Sequence, residues 1–120
     1  MSDGEVMSAI NRQLKKGFVD ILLLALMTER PMYGYELMTA LDERSRGFFA
    51  MKEGTLYPVL YRMEDAGYIR SSWAQESTAR RGAPRKYYEI TDAGRTHLQE
   101  AAGELRALMR SVERIMGRIE

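Results

Sequence analysis

Two short extended runs interrupt a chain whose pattern is otherwise helical, and they constrain the fold more than any other feature. The runs cover residues 68–74 and 86–90 and are rich in aromatic and β-branched residues. Gly82 and Pro84 lie between them, so the sequence predicts a hairpin with a long tip. The length of 120 residues is that of one compact domain, so we expect the hairpin and the helices to belong to the same domain.

Apolar periodicity predicts three helices before the hairpin. The first covers about residues 11–27 and the second about residues 34–44. The third begins near residues 54–55, because Pro58 lacks an N–H and fits the first turn of a helix, where backbone donors have no partner. Gly67 ends it in the usual glycine position after a helix.

The last quarter of the chain predicts one long helix with a seam for a partner. Thr91 can cap a helix that begins at Asp92 and runs to near the end of the sequence. Its apolar residues recur with a spacing of about 3.5, which is typical of a coiled coil. We expect a homodimer, and the alternative is that the helix folds back on its own domain. The predicted interface residues are Leu98, Ala101, Leu105, Leu108, Met109, Val112, Ile115, Met116 and Ile119.

The order helix, helix, turn, helix, hairpin, helix is that of a winged helix-turn-helix. The predicted fold class is therefore mainly α with a small β-hairpin (α+β), extended by a long C-terminal dimerisation helix. We expect a flexible segment at residues 1–10, a DNA-binding domain at 11–91 and the dimerisation helix at 92–120. A major groove about 12 Å wide admits one helix, so the third helix can enter it while the hairpin reaches the adjacent backbone.

The candidate DNA-binding residues lie on the third helix and on the hairpin. One side of the third helix is apolar and the other polar, with Tyr57 at the border as either a groove residue or a packing residue. Residues 77–88 contain four basic residues and no acid, which favours a phosphate-binding tip over a merely solvated one. The predicted contacts are Lys52, Thr55, Tyr57, Pro58, Tyr61, Arg62, Arg80, Arg81, Arg85 and Lys86.

Composition argues against several other classes of protein. The chain has no cysteine, which excludes disulfide scaffolds and thiol catalysis, and its single histidine, His97, has no partners for a metal site and is expected on the surface. We find no nucleophile elbow or phosphate-binding glycine loop, so we expect neither an enzyme nor a cofactor. The apolar run at residues 18–27 is too short to cross a membrane, and we expect a cytoplasmic protein.

Three sequence runs resemble the signature of PadR-type transcriptional regulators. They are YGYEL at 33–37, GTLYPVL at 54–60 continuing into MEDAGYI at 63–69, and RKYYEIT at 85–91 followed by Gly94. The resemblance covers about residues 15–95 and points to the compact subgroup with a single C-terminal helix. It implies a dimeric repressor of double-stranded operator DNA that is released by a small hydrophobic or aromatic effector.

Two residues depart from the family pattern. Lys52 stands where many members have a serine, which predicts a weaker helix cap and an added phosphate contact. Trp73 lies on the first hairpin strand, whereas a multidrug-binding relative has its ligand-stacking tryptophan on the C-terminal helix.

A second hypothesis remains open, in which the winged helix binds a protein partner and has no physiological DNA site.

Overall fold

The structure is a computed structural model and describes residues 3–74 and 85–118, with side chains described at residues 12 and 13 and from residue 17 onward. These ranges contain four helices and three short strands. They are α1 (Asp3–Met27), β1 (Met32–Tyr33), α2 (Gly34–Arg44), α3 (Glu53–Asp65), β2 (Ile69–Trp73), β3 (Lys86–Ile90) and α4 (Asp92–Met116). The predicted class, mainly α with a small sheet and a long C-terminal helix, is confirmed.

One apolar core joins the first three helices to the sheet. Leu23 and Leu24 of α1, Leu37 of α2 and Leu56 of α3 are fully buried. Tyr88 of β3 closes the core from the sheet side and is 1% exposed. Each such side chain stabilises the fold by roughly 1.5–3 kcal/mol through the apolar surface it removes from water, so the core fixes how α3 sits on its neighbours.

The first helix begins earlier than its apolar pattern indicates. It starts at Asp3, whereas periodicity predicts a start near Asn11, so most of the segment expected to be flexible at residues 1–10 continues the helix. The prediction of the helix start was wrong because it relied on a buried stripe, and helix formation does not require one. The end of the helix at Met27 was predicted correctly.

The third helix also begins earlier than predicted, at Glu53, which moves Pro58 beyond the first turn. The inference that Pro58 marks the first turn was therefore wrong. Because proline has no N–H, Pro58 cannot donate the helical hydrogen bond that the Gly54 carbonyl would otherwise accept. This loss is tolerated on the exposed side of the helix, where Pro58 lies and where water can bond the carbonyl.

The hairpin belongs to a three-stranded antiparallel sheet with the order β1-β3-β2. In its register Ile69 lies opposite Ile90 and Trp73 opposite Lys86. The sequence predicted β2 and β3 but missed β1, since two residues are too few to show a strand period. Through β1, which pairs Tyr33 with Tyr87, the start of α2 is attached to the wing.

A tight corner connects the end of α3 to the start of α4. Gly67 has a φ of 84°, and the Tyr68 N–H donates to the Met63 carbonyl at 3.0 Å, which completes the helix end. Thr91 accepts from the Gly94 N–H at 3.0 Å and donates its hydroxyl to the Gly67 carbonyl at 2.6 Å. The predicted cap at Thr91 is confirmed, and the same hydroxyl attaches α4 to the corner.

The first turns of α4 press against this corner. A Cβ at Gly94 would overlap the Tyr68 carbonyl oxygen and lie 2.8 Å from the Ile90 side chain, so only glycine allows the helix to approach this closely. The His97 ring stacks on the Tyr68 ring with centroids 4.1 Å apart and planes 6° from parallel. His97, expected on the surface, is half-buried and belongs to this contact.

The seam predicted on α4 divides into two parts. Leu98 packs against the core, and Ala101, Leu105 and Val112 are half-buried. On either side of Val112, the exposed apolar side chains are Leu108 (50%), Met109 (45%), Ile115 (84%) and Met116 (73%), while Ile119 lies outside the described residues. No helix in the described ranges is long and apolar enough to cross a membrane.

Candidate nucleic-acid interface

The two sides of α3 are as the sequence predicts. On the core side Leu56 and Leu60 are fully buried, Met63 is 2% exposed and Val59 is half-buried. The polar side is open, and its exposed residues are Thr55, Pro58, Tyr61, Arg62 and Asp65. The core therefore holds α3 with one continuous polar face turned outward.

Lys52 begins α3 with an exposed side chain. Its backbone is extended, with φ of −95° and ψ of 161°, and its carbonyl accepts from the N–H groups of Thr55 and Leu56, both at 3.0 Å. Among the described residues no side chain caps this helix start, as expected for a lysine in this position. The N–H groups of Glu53 and Gly54 have no acceptor within the helix, so this end of α3 presents two backbone donors beside the positive charge of Lys52.

The sequence allowed Tyr57 to be either a groove residue or a packing residue. In the structure it packs between the two helices of the helix-turn-helix. Its hydroxyl lies so close to the Gly34 backbone that a Cβ at Gly34 would overlap it and lie 2.9 Å from Cζ. Burial raises the pKa of Tyr57, and the nearby carboxylate of Glu53 adds to the rise. The ring is half-buried, and its exposed edge faces the Tyr61 ring with centroids 6.3 Å apart.

Arg62 has a partner inside the molecule. One guanidinium nitrogen lies 3.0 and 3.2 Å from the two carboxylate oxygens of Asp20 on α1. The side chain is 62% exposed, but its charge is directed towards α1. The sequence could not indicate this pair, because 42 positions separate the two residues.

Lys86 brings the wing, which is the β2–β3 hairpin, next to α3. Its ammonium lies 5.9 Å from the ring centroid of Tyr61 on α3, 5.6 Å from that of Trp73 and 5.8 Å from that of Tyr88. The polar face of α3 and the base of the wing therefore belong to one surface. The predicted tip residues Arg80 and Arg81 lie outside the described residues.

Arg85 lies beside a second aromatic group. Its guanidinium carbon is 4.7 Å from the Tyr33 ring centroid, and Tyr33 meets Tyr87 edge to face at 5.5 Å. Tyr35 and Trp73 are 65% and 63% exposed on the same surface. Sequence reasoning missed Tyr33, Tyr35 and Trp73 as members of the candidate site, because β1, the start of α2 and the register of β2 with β3 bring them there.

These side chains border a groove of about 510 Å³ between the start of α2, α3 and the wing. Tyrosine hydroxyls can donate hydrogen bonds to phosphates, aromatic rings can pack against sugars, and lysine and arginine can pair with phosphate. Glu53 is the one acidic residue in the described lining. The surface therefore combines aromatic and basic groups around one groove.

The model of the transcriptional regulator PadR-like family matches residues 23–100, more than half of the chain. The chain belongs to the PadR-like family. Members of this family regulate transcription, and this PadR-like protein is accordingly a transcriptional regulator and not an enzyme. The matched range contains α2, α3, the wing and the start of α4.

Relatives and solved structures agree with this assignment. The PadR-like chain is 32% identical over 101 residues to the transcriptional regulator Rv3488 of Mycobacterium tuberculosis, covering 84% of this chain and 88% of the relative. A PadR family regulator from Eggerthella lenta has a similar crystal structure, with a TM-score of 0.82 and 28% identity over 97% of this chain and 96% of the other. A PadR family regulator from Clostridium difficile gives a TM-score of 0.73 and 33% identity, covering 83% and 99%.

Proposed function

We propose that this PadR-like regulator binds a palindromic DNA operator as a homodimer, with α3 in the major groove and the wing on the adjacent backbone. The observation that carries the proposal is the 5.9 Å approach of the Lys86 ammonium to the Tyr61 ring, which puts the open face of α3 and the base of the wing on one side. A helix and a wing on one side of a domain can engage one stretch of duplex together.

The residues of this surface divide into base-reading and backbone-binding groups. Thr55 and Tyr61 carry hydroxyls that can bond base edges, and the Pro58 ring can contact a thymine methyl group. Lys52 and Arg85, with the tip residues Arg80 and Arg81, supply positive charge for phosphate. Arg62 stays a proposed contact beside the groove, because its side chain is 62% exposed and its ion pair with Asp20 of α1 lies at the surface.

The homodimer is proposed from the exposed apolar residues of α4. Leu108, Met109, Ile115 and Met116 follow one another along the helix with their side chains largely in water. A continuous apolar stripe of this kind on a small domain favours burial against a second copy. Two linked copies would also combine two weak half-site contacts into one specific contact.

We also propose that the regulator is a repressor released by a small hydrophobic or aromatic effector, as the family resemblance implies, and that it acts in the cytoplasm. An apolar cavity of about 400 Å³ between α1 and α2, lined by Leu22, Leu26 and Phe49 among others, is large enough for such a molecule. Thermal unfolding with a panel of small aromatic compounds tests this part. A compound that raises Tm and lowers operator affinity supports it, and a panel without any such compound contradicts it.

Selection of binding sites from random duplex DNA with the purified protein tests the DNA-binding proposal. We expect an enriched palindrome. Tyr61→Ala is expected to weaken its base preference, while Lys52→Met weakens all duplexes equally. Arg70→Met serves as the control, because Arg70 pairs with Glu89 at 2.6 Å on the sheet face opposite to Trp73 and Lys86. If no duplex is retained specifically at about 0.15 M salt, the winged helix is a protein-interaction module instead.

A further inference from the structure

Lys86 occupies a particular place in the sheet. It is the first residue of β3, lies directly opposite Trp73 on β2, and precedes Tyr88 by two positions. Side chains of a strand alternate between its faces, so Lys86, Tyr88 and the cross-strand partner Trp73 share one face. Tyr61 reaches the same place from α3.

The Lys86 ammonium lies among the rings of these three residues. The distances to their centroids are 5.6, 5.8 and 5.9 Å, and each is within the roughly 6 Å at which a cation is attracted to a ring face. The lysine side chain is half-buried, and among residues 3–74 and 85–118 no carboxylate forms an ion pair with it. The observed partners of this charge are therefore aromatic.

The three rings belong to different elements that have to act together. Tyr61 lies on α3, Trp73 on the outer wing strand and Tyr88 in the buried part of β3. Trp73 and Tyr61 are 63% and 52% exposed, so packing alone holds them weakly. The Lys86 ammonium is attracted to both exposed rings and lies next to the Tyr88 ring, which the core holds in place. This attraction restrains the distance between α3 and the wing.

Building on the DNA-binding function proposed above, we propose that Lys86 is a positioning residue that sets the spacing between α3 and the wing and does not contact DNA phosphate. Lys52 provides the contrast, because its exposed side chain at the start of α3 is free to meet a phosphate. A lysine that neutralises a phosphate releases counterions, and each such contact adds about −0.9 to the slope of log K against log salt. A positioning residue leaves that slope unchanged and alters discrimination between sequences.

The test measures binding of the selected operator and of a random duplex by fluorescence anisotropy across a salt series. The variants are Lys86→Met, which keeps a linear apolar side chain without the charge, Lys86→Arg, which keeps the charge, and Lys52→Met as the matched lysine control. We expect Lys86→Met to lower the operator-to-random affinity ratio by about fivefold at an unchanged salt slope. Lys86→Arg restores the ratio, and Lys52→Met makes the slope shallower by about 0.9 at an unchanged ratio.

A second readout needs no DNA. Trp73 is the only tryptophan in the sequence, so its emission reports on the Lys86 contact directly. We expect Lys86→Met to shift the emission of the free protein, Lys86→Arg to shift it less and Lys52→Met to leave it unchanged. Circular dichroism and Tm of each variant show that the fold is retained.

The outcomes separate this inference from the function on which it rests. If the parent protein prefers no operator, the DNA-binding proposal fails. If the parent binds its operator but Lys86→Met reduces the salt slope at a constant affinity ratio, Lys86 contacts phosphate and the positioning role is wrong. Unchanged affinity ratio and unchanged Trp73 emission in Lys86→Met also overturn the positioning role.

Discussion

Gly34 begins α2 at the point where the Tyr57 ring presses against its backbone. Any side chain at position 34 would occupy the space of the Tyr57 hydroxyl. The contact fixes the first helix of the helix-turn-helix on the second, and it depends on one residue having no Cβ.

Gly34→Ala is expected to lower the free energy of unfolding by about 1–3 kcal/mol, because Tyr57 has to leave its position to admit the methyl group. Urea unfolding measures the change. Gly54→Ala is the control, since no described atom lies within 4 Å of a Cβ there and the change should be neutral or slightly stabilising. In a Tyr57→Ala background Gly34→Ala should become nearly harmless; an equal loss in both backgrounds would contradict the proposed clash.

Tyr88 carries a phenol inside the core, and burial raises its pKa from 10.0 to about 12. Since the folded state holds this proton more tightly than the unfolded state, the resulting stabilisation is fully present below pH 10 and is lost as pH rises towards about 12. Tyr88→Phe should therefore flatten the fall in the free energy of unfolding over this range, measured by urea unfolding at a series of pH values. Tyr35→Phe, on an exposed ring, is the control, and equal slopes for parent and Tyr88→Phe would refute the expectation.

Individual residues were predictable where helical period alone decides their position. The period of 3.6 places Leu56 and Leu60 on the buried side of α3 and Tyr61 on the open side, as observed. The contacts of Lys86 were not predictable, because they depend on Trp73 lying opposite it, and that register follows from how the two strands pair across a long connection.

At the scale of elements, the corner between α3 and α4 determines how the long helix leaves the winged domain. Thr91, Gly94 and His97 each contact the Gly67–Tyr68 turn, through a hydroxyl, a bare backbone and a stacked ring. Three kinds of contact within the first two turns leave α4 one direction in which to extend.

Gly94→Ala tests this corner. The added methyl group would meet the Tyr68 carbonyl, a backbone atom that cannot rotate away, so we expect a loss of about 2–3 kcal/mol in the free energy of unfolding. Gly103→Ala in the same helix has open space and should stabilise by about 0.5–1 kcal/mol. Thermal or urea unfolding of both variants measures the difference. A Gly94→Ala protein as stable as the parent would show that the Tyr68 backbone can move to admit the methyl group.

Elements were predicted well where their signals are local. Gly67 and Thr91 marked helix boundaries correctly because the cap geometry involves only near neighbours. The start of α1 and the strand β1 were missed for a common reason. A helix beginning at Asp3 and a strand of two residues are not marked by a buried stripe in the sequence.

For the whole molecule, the exposed apolar residues of α4 let us predict how the oligomeric state responds to mutation. Ile115→Lys puts a charge on the predicted seam and should shift the protein towards monomer, with a loss of operator affinity of at least tenfold. Ala107→Lys adds the same side chain at an exposed position off the predicted seam and should leave the proposed dimer intact. Sedimentation equilibrium over a concentration series distinguishes them, and an unchanged mass for Ile115→Lys would place the interface elsewhere.

The architecture as a whole was predictable because the order of elements leaves few alternatives. Three helices followed by a hairpin and a long helix in one small domain are compatible with the winged helix-turn-helix, and the family match over residues 23–100 agrees. The partner of Arg62 was not predictable, because the pair with Asp20 forms only when α1 and α3 cross in the folded molecule.

The contact between Gly94 and Tyr68 has a consequence for promoters. If α4 cannot pivot on the winged domain, the two winged domains of the proposed dimer keep a constant separation and a constant rotational phase. Each base pair inserted between half-sites turns one of them by about 34° around the duplex axis and moves it out of reach. A promoter could then escape control through the deletion of a single spacer base pair, with every contacted base intact.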